Sequence, residues 1–198
     1  MKIRNLILLL VTVCVTGCAS NTTVRVGVNE IGKMQISTTS PWTSVGQTDS
    51  PATNGVSRTW TRNGLPQDRL LLISGVDDGE PIFKSGGTAF RAGMSPAEIT
   101  ELVQASTGTA VGNPAAAFRA ANPREQNFGQ NSGVMFELSA AAGNDNSYQG
   151  AAGAFVYEER LYVLLFLAAD AQTHADLRDE AEAVMLSAVT RVKTIRRY

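Results

Sequence analysis

Histidine and cysteine are scarce in this 198-residue chain, and each scarcity excludes a kind of chemistry. His174 is the only histidine, and the only cysteines, Cys14 and Cys18, both lie near the N-terminus. Downstream of Cys18 the chain therefore has no thiol for a disulfide or for nucleophilic catalysis. With a single histidine, zinc ligation would depend almost entirely on carboxylates, which is an uncommon arrangement.

A strong charge of either sign is also missing. The chain has 17 Lys and Arg against 18 Asp and Glu, which excludes the basic surface typical of nucleic-acid-binding proteins. One dense basic stretch, RVKTIRRY, occupies residues 191–198. Two interpretations stay open for it: contact with anionic lipid headgroups, or a solvated helix end whose cations complement the helix dipole.

No apolar run reaches the roughly 20 residues that a transmembrane helix needs. The clearest run, from Leu6 to Val15, is preceded by Lys2 and Arg4 and followed by small residues. This order of a positive start, a short apolar segment and small residues is that of a secretory signal peptide. A buried helix is the alternative, but it would show polar residues at every third or fourth position.

The end of this segment resembles the lipobox of bacterial lipoproteins. Val15, Thr16, Gly17 and Cys18 supply the aliphatic residue, the two small residues and the cysteine of that motif. The resemblance implies that residues 1–17 are removed and that Cys18 becomes the lipidated first residue. Cys14 has the wrong neighbours for this role, and we expect it to act as a small apolar residue of the discarded segment.

Lipidation would attach the mature protein to a membrane without embedding it, because two or three acyl chains hold a protein on a bilayer. In the sorting rule of such lipoproteins, aspartate after the cysteine favours the inner membrane, and this chain has Ala19. We therefore expect an outer-membrane protein whose domain faces the periplasm, with the inner membrane as the alternative. The expected partners are the membrane and another envelope protein, with no cofactor and no nucleic acid.

Residues 18–23 are interpreted as a short tether, and residues 24–198 as one domain. Alternating or continuous apolar patterns predict strands at residues 23–28, 33–37, 57–61, 69–76, 133–139, 152–158 and 161–168. The first two should be joined by a loop from Asn29 to Gly32, and Thr39 to Gly55 should be a surface loop. Glu158 and Glu159 leave room for only a tight turn, so the last two strands should form an antiparallel hairpin.

Two helices are predicted. Ser95, Pro96 and Glu98 form the pattern of a capping box, so one helix should begin there and end at Gly108. The other should begin near Thr173 and place apolar residues on one face at helical spacing. These residues are Leu177, Ala181, Met185, Ala188 and Val192. Residues 112–133 are rich in Asn, Pro, Ala and Gly, which favours a loop with one short helix at residues 115–120.

Together these elements predict an α+β fold, an antiparallel sheet of about six strands covered by helices. One core between the sheet and the helices should contain Leu71, Ile73, Phe136, Val163 and Leu165.

Three segments resemble a group of poorly characterised bacterial envelope lipoproteins. They are TWTRNGLPQDRLLLISGVDDGEPIF, MSPAEITELV and GAFVYEERLYVLLFLAADAQTHADLRDEAEAVMLSAV. The order of the elements is also similar to the PsbP-like fold, in which an antiparallel sheet lies between helices. This resemblance covers roughly residues 42–192, implies a fold and an envelope location, and assigns a role to no residue.

The densest carboxylate group is Asp77, Asp78 and Glu80. Paired acids can act as general acid and base, so an envelope hydrolase that uses these three residues is one hypothesis. Their position around a glycine directly after a buried strand favours turn chemistry instead. The segment GNDNSYQG offers oxygens from Asp145 and Asn146 but lacks the acidic ligand of a calcium loop, so a hairpin loop is favoured there.

Two further hypotheses concern binding. A small-ligand carrier would use Trp42, Trp60 and Phe90 as a stacking surface, although aromatic residues are more often core, and Trp42 in particular should pack on the domain. The favoured hypothesis is a non-catalytic structural or interaction module of the cell envelope. It rests on the shortage of catalytic groups, because His174 is expected on the exposed first turn of the last helix, with Asp176 facing away.

Overall fold

The computed structural model describes residues 21–46, 50–140 and 148–191. The predicted signal peptide, Cys14 and Cys18 lie outside these ranges, as do Asp145, Asn146 and Val192. The strands are β1 Thr22–Val24, β2 Gly27–Ile31, β3 Met34–Thr38, β4 Trp42–Ser44, β5 Val56–Thr61, β6 Asp68–Val76, β7 Phe118–Phe128, β8 Asn131–Ala140, β9 Gln149–Tyr157, β10 Arg160–Ala168 and β11 Val189–Thr190. The helices are α1 Pro96–Ala110 and α2 Ala171–Leu186.

The strands form two antiparallel sheets. The large sheet has eight strands in the order β1-β4-β5-β6-β10-β9-β8-β7, and the small sheet has three in the order β11-β3-β2. The predicted α+β class with a large antiparallel sheet is confirmed, but the expected number of about six strands is too low. The difference comes from β1 and β4, which have three residues each, and from β7, which occupies a segment expected to be a loop.

The centre of the large sheet is buried on both faces. In β6 and β10 nearly every side chain is buried, which explains why these strands appear in the sequence as continuous apolar runs. Strand β10 pairs with β6 on one side and with β9 on the other. Both β6 and β10 could be predicted from the sequence, because a continuous apolar run is a signal contained within the segment itself.

Each face of the large sheet carries its own core. One core lies under α1 and contains Leu71, Ile73, Phe136, Val163 and Leu165, the five residues predicted to share a core. The other lies under α2 and the small sheet and includes Trp42, Trp60, Leu72, Leu164 and Phe166. Neighbouring residues such as Leu71 and Leu72 enter opposite cores because successive side chains of a strand point to opposite faces.

The two helix starts follow from their caps. Ser95 caps α1: its side chain accepts a hydrogen bond from the Glu98 backbone N–H, and the Glu98 carboxylate accepts one from the Ser95 N–H, at 2.7 Å. This is the predicted capping box. Asp170 caps α2 by accepting from the Thr173 N–H at 2.8 Å, so α2 begins at Ala171, slightly before the predicted start.

The helix ends differ from the prediction. Helix α1 continues through Gly108 to Ala110, and Gly108 is instead a point of close approach, because a Cβ there would lie 2.6 Å from the Ala116 carbonyl oxygen. Helix α2 ends at Leu186, so Ala188, although buried, is not on the helix.

The first strands also differ from the prediction. Thr22 and Thr23 were expected in the tether, but they belong to β1 and pair with β4. A second strand, β2, begins at Gly27 and runs to Ile31. The β2–β3 turn is therefore limited to Gly32 and Lys33, shorter than the predicted loop.

Strand β7 replaces the predicted loop and short helix of residues 112–133. It is an edge strand, exposed along most of its length and held by pairing with β8. Its register shifts between Ala121 and Arg124, where β7 has one residue more than β8. This extra residue is a β-bulge at Asn122 and Pro123, and an edge strand tolerates proline there.

The β9–β10 hairpin turns through Glu158 and Glu159, as predicted. Both residues have a left-handed backbone, with φ of 50° and 58°. Two successive residues with positive φ are characteristic of the type I′ turn, whose twist matches that of the flanking strands. Lys33, in the β2–β3 turn, forms an ion pair with Glu158 at 2.5 Å and so connects the small sheet to this hairpin.

Candidate functional site

The three acids of the hydrolase hypothesis are exposed, and the carboxylates of Asp77 and Asp78 are engaged in local contacts. Asp77 forms an ion pair with Arg160, with 2.7 Å between Oδ1 and Nε. Asp78 accepts a hydrogen bond from the Ala92 backbone N–H at 2.9 Å. The backbone of the same turn pairs with Phe90, whose N–H donates to the Glu80 carbonyl at 2.8 Å. These contacts fit the turn interpretation of the three acids.

The hypothesis of an aromatic stacking surface is wrong. Trp42 and Trp60 are buried in the core under α2, and Phe90 is buried in the core under α1. The three rings thus lie on opposite faces of the large sheet and present no common surface to a ligand. The narrower expectation that Trp42 packs against the domain is confirmed.

His174 lies in the first turn of α2 but is half-buried, not exposed as expected. Its ring stacks on Phe166 of β10, with 6.1 Å between the ring centroids. Burial lowers the pKa of His174 below its ordinary value, and the nearby Arg178 guanidinium lowers it further. Asp176 accepts a hydrogen bond from Gln172 and is exposed, so it is directed away from the histidine as predicted.

A network of ion pairs joins α2 to β7 and β8. Arg178 lies 3.2 Å from Glu137 and 3.1 Å from Glu182, and Arg124 lies 3.6 Å from Glu182. The second oxygen of Glu137 accepts a hydrogen bond from the Asn122 amide at 2.9 Å. Because each charge in this network already has a partner, the network is suited to holding α2 on the sheet.

A groove between α1 and the β7–β8 edge is lined mainly by apolar residues. Two cavities of about 420 and 180 Å³ lie side by side there and share Pro96, Glu125 and Val134. We call the two together the α1–β7 groove. Its apolar lining includes Met94, Pro96, Ala97, Ala120, Pro123, Val134 and Val156.

Three features fix the walls of the α1–β7 groove. The capping box sets where α1 begins. Gln104, in the middle of α1, accepts a hydrogen bond from the Ala120 backbone N–H of β7 at 2.8 Å. The bulge in β7 then places Arg124 opposite Met135, facing α2, and Glu125 opposite Val134, facing α1. The groove is therefore preformed, by the helix cap, the β7 bulge and the hydrogen bond that joins α1 to β7.

The charges of the α1–β7 groove are unbalanced. Glu101 and Glu125 both line it and are exposed, and neither has an ion-pair partner within residues 21–46, 50–140 and 148–191. Arg124 also borders the groove, but its guanidinium is paired with Glu182. An apolar groove with two carboxylates that no described cation pairs with matches a ligand with apolar groups and a positive charge.

The sequence did not reveal this groove. Its outer wall is β7, which was expected to be a loop, and its two carboxylates, Glu101 and Glu125, come from separate segments of the chain. Phe118 and Phe128, which bound β7, were the available signal.

The described ranges contain neither a group of metal ligands nor a membrane-spanning helix. Within the described residues, no three His, Cys, Asp or Glu side chains are grouped so that they could hold a metal ion. Among the same residues, no helix has both the length and the apolar character needed to cross a bilayer.

A solved structure resembles this architecture over most of the chain. It is the solution structure of cyanobacterial PsbP (CyanoP) from Synechocystis sp. PCC 6803, with a TM-score of 0.56 and 11% sequence identity over 89% of this chain and 95% of that one. The fold is PsbP-like. At this identity the similarity concerns the fold alone, and it confirms the fold expected from the order of the elements.

A second solved structure is less similar to this chain. The crystal structure of LpqN, involved in cell envelope biogenesis of Mycobacterium tuberculosis, is 13% identical and covers 89% of this chain and 88% of that one, but its TM-score of 0.35 is too low to support a conclusion. No protein-family model and no curated protein matches the chain.

Proposed function

We propose that this protein is a lipid-anchored module of the bacterial cell envelope that binds a partner and does not catalyse a reaction. Cys18 carries the lipid, and the PsbP-like domain faces the periplasm. The protein lies on the outer membrane, because Ala19 and not aspartate follows Cys18. The partner presents an apolar segment with a positive charge to the α1–β7 groove. The observation that carries this proposal is a pair of carboxylates, Glu101 and Glu125, that have no ion-pair partner in the described ranges and lie on a preformed apolar groove.

The anchor is supported by the lipobox resemblance at residues 15–18. Replacing Cys18 with Ser should abolish incorporation of labelled palmitate and release the protein from the membrane fraction. Cys14→Ser is the matched control and should change neither. Palmitate incorporation by the Cys18→Ser variant would show that the lipobox interpretation is wrong.

The groove is tested with two fluorescent peptides of matched length, one of leucine and lysine and one of leucine and glutamate. The lysine peptide should bind the full-length protein more tightly. Replacing Glu101 and Glu125 together with Lys should weaken its binding by about tenfold, because two exposed charge contacts together contribute on the order of 1 to 2 kcal/mol. Fluorescence anisotropy measures both affinities.

The matched control for this experiment is the double replacement of Glu80 and Glu159 with Lys. Both residues are exposed and lie outside the groove, and the net charge changes by the same amount. If the two double variants weaken binding equally, the loss of affinity comes from net charge alone, and the assignment of the groove is contradicted.

The absence of catalysis is tested separately. We expect no turnover by the purified protein on peptidoglycan, ester or phosphate substrates, because Asp77 and Asp78 are engaged in turn contacts and the only histidine lies beside an arginine. An activity that disappears in an Asp78→Asn variant of unchanged stability would instead favour the hydrolase hypothesis.

A further inference from the structure

The exposed large apolar side chains of the described ranges gather in one region. They are Val26, Val28, Val56, Leu186 and Val189. Val28 lies on β2 and Val189 on β11, the two outer strands of the small sheet, and Val26 immediately precedes β2. Scattered exposed apolar residues need no explanation, but a group of them indicates a contact surface.

The other two members border the same sheet. Leu186 is followed by Ser187, whose hydroxyl accepts a hydrogen bond from the Ser37 backbone N–H of β3 at 2.8 Å. Val56 lies against the β2–β3 turn, where a Cβ built on Gly32 would be 3.3 Å from the Cβ of Val56. All five side chains are thus on or next to the small sheet.

The small sheet has one buried face and one exposed face. Ile31, Met34 and Ile36 point inward and are buried in the core under α2. Val28 pairs with Ser37, and Val189 pairs with Gln35, so both valines belong to the opposite, outer face. Val28 is 65% exposed and Val26 is 59% exposed. Gly129 of the β7–β8 turn approaches Val189, and Arg191 forms an ion pair with Glu30 on this same face, but Val26 and Val28 are open to solvent.

The turn that carries Val26 is held firmly. The Asn29 amide donates to the Arg25 carbonyl at 2.9 Å and to the Gly27 carbonyl at 3.0 Å. The Thr38 hydroxyl also donates to the Arg25 carbonyl, at 3.0 Å. Val26 and the exposed Arg25 side chain are therefore presented by a fixed backbone. Among the described residues, no carboxylate lies within ion-pair distance of Arg25.

The position of the lipid anchor indicates what this face meets. Only four residue steps separate Cys18 from Thr22, where β1 begins, and at up to about 3.6 Å per residue they span at most about 14 Å. Strand β1 ends at Val24, directly before Arg25. A lipid on Cys18 therefore keeps Arg25, which is seven residue steps away, within about 25 Å of the bilayer surface.

We infer that Arg25, Val26, Val28 and Val189 form a membrane-facing surface that contacts phospholipid headgroups and orients the domain on the bilayer. This inference rests on the proposed lipidation of Cys18. The valines enter the apolar side of the headgroup region, and Arg25 binds lipid phosphates. Helix α1 and the α1–β7 groove, on the opposite face of the large sheet, then point away from the membrane toward a partner in the periplasm.

The mature chain suits a labelling experiment because it has no free thiol once Cys18 is acylated. Single variants Val26→Cys, Val28→Cys and Ala105→Cys are labelled with an environment-sensitive fluorophore in the lipidated full-length protein. Ala105 is exposed on α1, on the opposite face of the large sheet, and serves as the matched control. The proteins are reconstituted in vesicles of equimolar phosphatidylethanolamine and phosphatidylglycerol that contain a lipid-attached quencher.

We expect the labels at 26 and 28 to be quenched several-fold more strongly than the label at 105. Equal quenching at the three positions, or none at 26 and 28 in protein that floats with the vesicles, would overturn the inference and leave the anchor intact. If the fluorescence of the labels at 26 and 28 changes with protein concentration in the absence of lipid, the inference is also overturned, in favour of contact between two copies of the chain. Failure of every variant to incorporate palmitate would overturn the anchor and the orientation together.

Discussion

At the scale of single residues, His174 shows that the burial and the pKa of a side chain depend on the residues that pack against it. Its place in the first turn of α2 followed from the sequence, but its half-burial did not, because Phe166 belongs to a strand that only the fold brings beneath it. Burial lowers the pKa of the imidazole, and the Arg178 charge lowers it further. Glu137 and Glu182 act in the opposite direction and are outweighed.

This shift makes stability depend on pH in a defined window. The unfolded chain binds a proton at His174 with an ordinary pKa of 6.5, and the folded chain binds it with a lower one. Between these two values the unfolded state holds more protons, so the free energy of unfolding should fall as the pH drops below 6.5 and stay level above it. Urea unfolding at a series of pH values measures this slope.

A His174→Gln variant provides the control for the pH experiment. Since His174 is the only histidine, the slope in that window should disappear in the variant, while the slope at lower pH, which comes from carboxylates, should remain. A slope between pH 5.5 and 6.5 that is the same in both proteins would assign the titration to another group.

At the scale of elements, the β9–β10 turn is under backbone strain that a substitution can remove. Glu159 has a φ of 58°, a region that costs an L-residue roughly 1 to 2 kcal/mol and costs glycine nothing. Glu159→Gly should therefore raise the free energy of unfolding by about 0.5 kcal/mol, after the greater freedom of glycine in the unfolded chain is subtracted. Chemical denaturation measures the change.

Glu101→Gly is the matched substitution in a helix. Glu101 is exposed on α1, where the same change should lower the free energy of unfolding by about 1 kcal/mol. Destabilisation of similar size at both positions would show that the turn is not strained at Glu159.

The elements also show how far the sequence could predict the fold. Strands β6, β8, β9 and β10, the capping box of α1 and the tight turn at Glu158 were all predictable because their signals lie within each segment. Strand β7 was not, because its Asn and Pro residues oppose a strand locally and its pairing with β8 decides the outcome. The α1–β7 groove depends on that pairing, so it could not be found before the fold was known.

At the scale of the whole molecule, the large sheet is shared by two cores and should make them unfold together. Phe136→Ala removes a fully buried ring from the core under α1 and should lower the free energy of unfolding by about 3 kcal/mol or more. Trp42 and Trp60, the only tryptophans, both lie in the other core. Their fluorescence transition should therefore shift as far as the transition seen by circular dichroism.

Two outcomes would contradict this picture. A loss below about 0.5 kcal/mol would place β8 at the surface. An unchanged fluorescence transition alongside a shifted dichroism transition would mean that the two cores unfold independently.

The bulge at Asn122 and Pro123 also affects how copies of the protein behave when they lie side by side on a surface. An exposed edge strand offers unpaired N–H and C=O groups on which a neighbouring chain can add a strand, and crowding raises that risk. The β7 edge resists such addition, because its proline lacks an N–H, its bulge interrupts the ladder, and Arg124 and Glu125 place charge along it. At the other edge of the sheet, β1 offers only three residues. We therefore expect neighbouring copies to remain separate at surface densities that would drive a long, regular edge strand into sheet-to-sheet aggregates.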